Sequence, residues 1–316
     1  MKEQGDQPEE PAQAHAAFDL LAPGIQEQLY KMRWGSLRTI QAEAIRAYAW
    51  PNTHLLIMAE TAGGKTEAAF LPVLSAISSE PAGSVRAMYV GPLKALINDQ
   101  FGRLEELCSY IELPVTKWHG DASDGKKKSL LRNPGGVLLI TPESLESMLI
   151  NRTSMLPALF GGLRAIVIDE LHSFLDSDRG MQLASLLSRL KRYRSELEPE
   201  TRLIGLSATV GDIEIARQYL SPDSPERVLV IQDNGEKKEM RVALRAYSAP
   251  DAAISSTQPS SGEVLDDSED GGLQQMRRIA SDLVDHCAGE ANLVFGNSKA
   301  HIEVFADLAN EICRES

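Results

Sequence analysis

The sequence predicts an α/β protein in which a parallel sheet carries helices on both faces. Short runs that are apolar throughout, such as Leu55-Leu56-Ile57-Met58, Val137-Leu138-Leu139-Ile140 and Ala165-Ile166-Val167-Ile168, have strand length and leave no polar face. Longer segments with helical spacing separate them, the alternation that builds parallel sheets. Polar clusters follow several of these runs, and open parallel sheets gather ligands at the carboxyl ends of their strands.

Residues 1–17 are polar and acidic and have little to bury, so they read as a disordered tail without the apolar stretch of a secretory signal. That makes the cytoplasm the expected compartment. A first domain is expected over 18–247. Ile25 to Trp34 and Leu37 to Ala49 read as helices, the second with Ile40, Ala44, Ile45 and Tyr48 on one face. The strand at Leu55 follows, then a glycine loop and a helix from about Glu67. Val85 to Val90 reads as a strand, with a helix from Pro92 to about Tyr110, a short strand over Pro114 to Trp118, and His119-Gly120-Asp121 after it. Lys126-Lys127-Lys128 reads as a solvated helix face, with phosphate contact as the alternative.

Beyond the strand at Val137, Thr141-Pro142-Glu143-Ser144 starts a helix, proline standing where no N–H is needed. The strand at Ala165 ends in Asp169-Glu170-Leu171-His172. Arg179 to Glu196 is amphipathic, Leu203 to Leu206 runs into Ser207-Ala208-Thr209, and a helix over Ile213 to Leu220 precedes a strand over Arg227 to Ile231. Residues 248–275, rich in Ser, Pro, Gly and acids, read as a linker. Residues 276–316 then read as the incomplete start of a second α/β domain, with a helix from Leu273 to Cys287, a strand over Ala291 to Phe295 and a helix from Ser298 to Ile312. One strand between two helices cannot form its own sheet core.

The net charge of −13 in 316 residues gives no support for nucleic-acid binding, which needs a local positive field. Residues 1–17 carry −3 and 248–275 carry −6, leaving −4 for the rest, so a local basic groove would have to supply it. Cys108, Cys287 and Cys313 are far apart and lack metal-ligand spacing, so neither a disulfide framework nor a structural zinc site is expected. No apolar run approaches the length of a membrane span.

The chemistry centres on Ala59-Glu60-Thr61-Ala62-Gly63-Gly64-Lys65-Thr66, between a strand and a helix. In that setting the backbone N–H groups of Thr61, Ala62, Gly63 and Gly64 and the helix N-terminus can face a phosphate, with Lys65 on the β- and γ-phosphates and the Thr66 hydroxyl on Mg²⁺. Ala59 stands where the pattern GxxxxGK[ST] has its first glycine; the bland alternative is a glycine-rich turn with an exposed lysine. Asp169 at a strand end can hold a phosphate-bound Mg²⁺, and Glu170 can orient or deprotonate a water. An isolated Asp-Glu pair would be an ordinary surface feature.

The ordered set Gln41, Ala59 to Thr66, Pro92 to Leu96, Thr141-Pro142-Glu143, Asp169 to His172 and Ser207-Ala208-Thr209 resembles the superfamily 2 DExH-box (DEAD/DEAH-box) helicases. It is most similar to the large-helicase-related (Lhr) type around Tyr89 to Gln100, Asn133 to Leu149 and Leu206 to Gly211. The resemblance covers about 25–247 and resumes at Leu293 to Ala309. It implies a P-loop NTPase with a RecA-like sheet, using ATP and Mg²⁺. Gln41 would read the adenine, Lys65, Asp169 and Glu170 would serve catalysis, and His172, Ser207 and Thr209 would couple the nucleotide to domain movement. Lys94, Thr141 and Glu143 would line a track that contacts the backbone of single-stranded DNA or RNA, so sequence-independent binding is expected. Against the family's usual Ala-Pro-Thr-Gly-Ser-Gly-Lys-Thr, Glu60 brings an acid beside the phosphates and is expected to point away.

The resemblance implies an ATP-binding half whose partner domain, with its arginines, lies in a missing second RecA-like domain or a partner chain. A non-catalytic nucleic-acid-binding or regulatory remnant is the alternative. A small-molecule kinase would share the loop but leave Ser207-Ala208-Thr209 and Thr141-Pro142-Glu143 without a role.

Overall fold

The computed structural model describes residues 16–60, 63–80, 82–194, 199–233, 242, 244–247, 267–287, 289, 292 and 294–315. The chain divides into two compact units, Met1–Lys237 and Lys238–Ser316. The expected tail over 1–17 falls outside the described residues up to position 15, as do positions 248–266 of the expected linker.

The first unit runs α1 (Pro23–Lys31), α2 (Thr39–Tyr48), β1 (His54–Met58), α3 (Lys65–Ile77), β2 (Ala87–Val90), α4 (Lys94–Cys108), β3 (Val115–Trp118), α5 (Asp124–Arg132) and β4 (Val137–Ile140). It continues with α6 (Pro142–Asn151), α7 (Leu156–Phe160), β5 (Ala165–Ile168), α8 (Asp178–Lys191), β6 (Arg202–Ser207), α9 (Ile213–Leu220) and β7 (Val228–Gln232). Seven strands form one sheet in the order β3-β4-β2-β5-β6-β1-β7, and every pairing is parallel.

Alternation along each strand feeds two cores. Leu55, Ile57, Tyr89, Leu139, Val167, Ile204 and Leu206 point to the face covered by α1 to α4. Leu56, Met58, Met88, Val90, Leu138, Ile166 and Ile168 point to the other, under α6 to α9. Because both faces are buried, the central strands β2, β4 and β5 carry no charged residue and are buried at every position. The registers Val90↔Ile140, Val90↔Ile168 and Met58↔Ser207 align the carboxyl ends of the strands along one edge.

Local caps fix the helix starts on that edge. Thr141 accepts from the Ser144 N–H at 3.3 Å before Pro142 opens α6, and Ser177 accepts from the Gly180 N–H at 3.1 Å to open α8. Each such cap contributes about 1 kcal/mol. Lys126 and Lys128 on α5 are exposed, and Lys126 lies 3.4 Å from Glu105. Cys108 is buried, Cys287 half-buried and Cys313 exposed. Among the described residues no helix is long and apolar enough to cross a membrane.

The second unit contains α10 (Asp267–Cys287) and α11 (Lys299–Glu315). Two sequence expectations are corrected here. α10 begins at Asp267, inside the stretch whose composition suggests a linker. Among the described residues of the expected strand, Asn292, Val294 and Phe295 form no strand; Val294 and Phe295 are exposed, and a strand needs a hydrogen-bonding neighbour. Residues 245 and 247 belong with α10: Arg245 and the Tyr247 hydroxyl reach Asp282 at 2.9 and 2.5 Å.

Candidate nucleotide and nucleic-acid site

The phosphate loop leaves β1 beside β6, where the Ala59 N–H donates to the Ser207 carbonyl at 3.2 Å. Thr61 and Ala62 lie outside the described residues. Gly64 has φ +82° and forms the cap from which α3 starts. A Cβ on Gly63 would come within 2.8 Å of Ala59 Cβ and 2.9 Å of the Glu60 carbonyl oxygen, so the chain turns back on itself too tightly for a side chain. The left-handed turn also starts α3 at Lys65, two residues earlier than helical spacing suggested, and buries Thr66 in its first turn.

Lys65 folds over this loop, its Nζ donating to the carbonyls of Ala59 at 2.6 Å and Glu60 at 3.0 Å. Partial burial lowers its pKa, opposed by the negative charges of Glu170 and then Asp169. The lysine and the two acids therefore share one electrostatic neighbourhood. Glu60 is exposed.

Asp169 follows β5 and is 6% exposed. Its Oδ1 accepts from the Glu170 N–H at 2.8 Å, and its Oδ2 accepts from the Tyr89 hydroxyl. Burial, then the charge of Asp169, pushes the Tyr89 phenol far above its usual range, so it stays a donor. Glu170 occupies the left-handed region at φ 49°, ψ 47°, a conformation that is uncommon outside glycine and concentrates at functional sites. The bend sends the chain into a short helical turn, Leu171–Ser173. It brings His172 Nδ1 to 3.5 Å from Glu170 and 3.0 Å from the Ser207 hydroxyl. Ser207 is fully buried and donates onward to the Thr209 carbonyl at 2.6 Å.

Gln41 borders the loop from α2. Its Oε1 accepts from the Arg38 N–H at 2.9 Å, and its Nε2 lies 2.8 Å from where a Gly64 Cβ would stand. It opens onto a cleft of about 480 Å³ that Trp34, Arg38, Glu67 and Arg103 also line. Sequence reasoning missed Trp34 and Arg103. Trp34 lies between α1 and α2, and nothing local in the sequence marks it or Arg103.

Lys94, Thr141 and Glu143 lie at the carboxyl ends of the adjacent strands β2 and β4. Thr141 is 6% exposed and caps α6. Glu143 pairs with Arg179 at 2.7 Å, and Arg179 Nη2 also donates to the Pro92 carbonyl at 2.7 Å. Burial would raise the Glu143 carboxyl, but a backbone N–H and Arg179 outweigh it and hold the group below its usual range. Lys94 lies 3.0 Å from Asp121. The arginine therefore ties together the segments after β2 and β4.

The family model described as DEAD/DEAH box helicase matches residues 38–217. The ATP-dependent helicase Lhr-Core of Methanothermobacter thermautotrophicus is 32% identical over 209 residues, 60% of this chain and 24% of that protein. The Lhr helicase/uracil glycosylase of Escherichia coli is 29% identical over 301 residues, 86% of this chain and 19% of that protein. This chain thus spans a quarter or less of the length of these curated relatives. The structure of Mycobacterium smegmatis helicase Lhr bound to ssDNA and AMP-PNP superposes with a TM-score of 0.68 at 26% identity, covering 95% of this chain and 37% of that one. The matched segment carries every motif position from Gln41 to Thr209 on a RecA-like parallel sheet, and the chain belongs to the DEAD/DEAH box helicase family.

Proposed function

We propose that this chain is the ATP-binding half of a nucleic-acid-dependent ATPase that couples ATP hydrolysis to movement on DNA or RNA. The observation that carries the reading is the convergence of Lys65, after β1, with Asp169 and Glu170, after β5, on either side of the β6 end that carries Ser207, with Glu170 and Ser207 joined through His172. On this reading the backbone of the loop through Gly63 and Gly64 receives the phosphates, and Lys65 exchanges its carbonyl partners for β- and γ-phosphate oxygens. Thr66 and Asp169 are hard oxygen donors of the kind Mg²⁺ takes beside nucleotide phosphates; Thr66 lies in the first turn of α3, and Asp169, after β5, is near enough for its charge to act on Lys65. The cation would neutralise developing phosphate charge.

Glu170 then orients and deprotonates the attacking water. Gln41, at the mouth of its cleft, hydrogen-bonds the adenine edge. The sheet edge formed by Lys94, Thr141 and Glu143 takes a single strand by its backbone, with Arg179 holding the edge in register. The second unit is the start of a second RecA-like domain; completion of that domain or a partner chain supplies the arginines opposite the phosphates. Turnover by residues 1–316 alone is therefore weak.

The test is phosphate release from ATP by this chain, with and without single-stranded DNA or RNA, alongside Lys65→Ala and Glu170→Gln. Stimulated release lost in both variants supports the motor reading. ATP affinity unchanged in Lys65→Ala would sink the site assignment, and nucleic-acid binding without nucleotide binding would favour a non-catalytic module.

A further inference from the structure

The register of β2 and β5 places a tyrosine under the acid assigned to the metal. Tyr89 pairs with Val167, and Asp169 lies two residues further along the same face, within diagonal reach of an aromatic side chain. Tyr89 is fully buried, and its hydroxyl donates to Asp169 Oδ2. The ring is fixed on two sides. Phe70 of α3, the helix that begins at Lys65, packs against it with ring centroids 6.3 Å apart. Gly91 leaves the room it occupies, since a Cβ there would lie 2.9 Å from Tyr89 Cε1.

We propose that Tyr89 is a positioning residue that fixes the Asp169 carboxylate for the nucleotide-bound cation; this rests on the reading of Asp169 as the metal-holding acid. The Glu170 N–H holds one carboxylate oxygen and the Tyr89 hydroxyl the other. A carboxylate has about four lone-pair sites, so each oxygen keeps one free. With both oxygens tethered, the free lone pairs point in set directions and the carboxylate cannot rotate when the nucleotide enters. The phenol adds no charge, so it orients the acid without competing for the cation as a lysine would.

Tyr89→Phe deletes one oxygen and keeps the ring. The experiment measures Mn²⁺ binding to the ATP-loaded chain by electron paramagnetic resonance, and ATP binding without metal by calorimetry, with thermal unfolding as the folding control. Tyr89→Phe is expected to weaken Mn²⁺ binding by about tenfold, the order of one charge-assisted hydrogen bond, while metal-free ATP affinity stays unchanged. Gly91→Ala, which crowds the ring and spares the hydroxyl, is expected to weaken Mn²⁺ in the same direction. Wild-type Mn²⁺ affinity in folded Tyr89→Phe overturns the positioning role and leaves the nucleotide site intact. Equal loss of metal-free and metal-bound ATP affinity overturns it too, as a general packing effect. If Asp169→Asn also leaves Mn²⁺ binding unchanged, the metal assignment of Asp169 falls with it.

Discussion

His172 and Ser207 are joined through Nδ1 and Oγ at 3.0 Å, and the direction of that hydrogen bond follows from a second one. Ser207 has a single proton, and it is committed to the Thr209 carbonyl at 2.6 Å. The serine oxygen must therefore accept, and His172 carries its proton on Nδ1 when neutral. Ser207→Ala should leave ATP affinity within about twofold and lower nucleic-acid-stimulated turnover, since the exposed His172 ring loses the buried partner that fixes its orientation. The ¹⁵N chemical shifts of His172 should report the Nδ1–H tautomer in the parent and a mixture in the variant. The Nε2–H tautomer in the parent would refute the assignment.

Arg179 makes a separable prediction. It spans Glu143 and the Pro92 carbonyl, both at 2.7 Å, and touches no residue of the phosphate loop among these contacts. Exposed ion pairs contribute about 0–1 kcal/mol, so its value lies in holding two segments in register rather than in stability. Arg179→Ala should shift the unfolding midpoint little, leave Mg-ATP affinity unchanged and weaken single-stranded nucleic-acid binding by about tenfold, read by fluorescence anisotropy at fixed salt. Unaltered nucleic-acid affinity would place the track elsewhere.

The sheet was legible because a strand buried on both faces must be apolar at every position, a pattern that Leu55 to Met58 and Ala165 to Ile168 display without help from the rest of the chain. Asp169 was legible for the same local reason, directly following such a run, and the Gly63-Gly64-Lys65 turn was legible from its glycines between such a run and a helix. Tyr89 was not. A tyrosine in Val85 to Val90 looks like ordinary core until the register sets it diagonally under Asp169. Arg179 was hidden likewise, since only the strand order brings Pro92 and Glu143 together under one guanidinium. In the second unit composition misled: Asp267 to Gly272 has the residues of a linker, yet α10 begins there.

His54 gives the first unit a predictable pH response. It is 5% exposed, and its Nδ1 accepts from the Leu203 N–H at 2.9 Å. Burial lowers its pKa, opposed by Glu200 and reinforced by Arg227. Below the usual histidine value of about 6.5 the unfolded chain takes up a proton that the folded chain refuses. Stability therefore falls as pH drops from about 7 toward the depressed folded value, with a slope of at most about 1.4 kcal/mol per pH unit from this group. Asn at 54 retains an acceptor and does not titrate. Urea midpoints at pH 7.5 and 5.5 should fall further for the parent than for His54→Asn; parallel curves would show that His54 is not the source.

Gly64 tests the loop itself, because two different costs meet there. An L side chain at φ +82° costs about 1–2 kcal/mol in backbone strain. A Cβ would also stand 2.8 Å from Gln41 Nε2, but that atom ends a flexible side chain and can yield once its Oε1 releases the Arg38 N–H. Backbone strain should dominate. Gly64→Ala should then lower ATP affinity by about tenfold, and combining it with Gln41→Ser should add the two single costs with little interaction energy. A double variant no worse than Gln41→Ser alone would mean that crowding of the glutamine, and not the left-handed turn, sets the requirement for glycine. Parent-like ATP affinity in Gly64→Ala would mean that neither does, and that the phosphates are held by some other part of the chain.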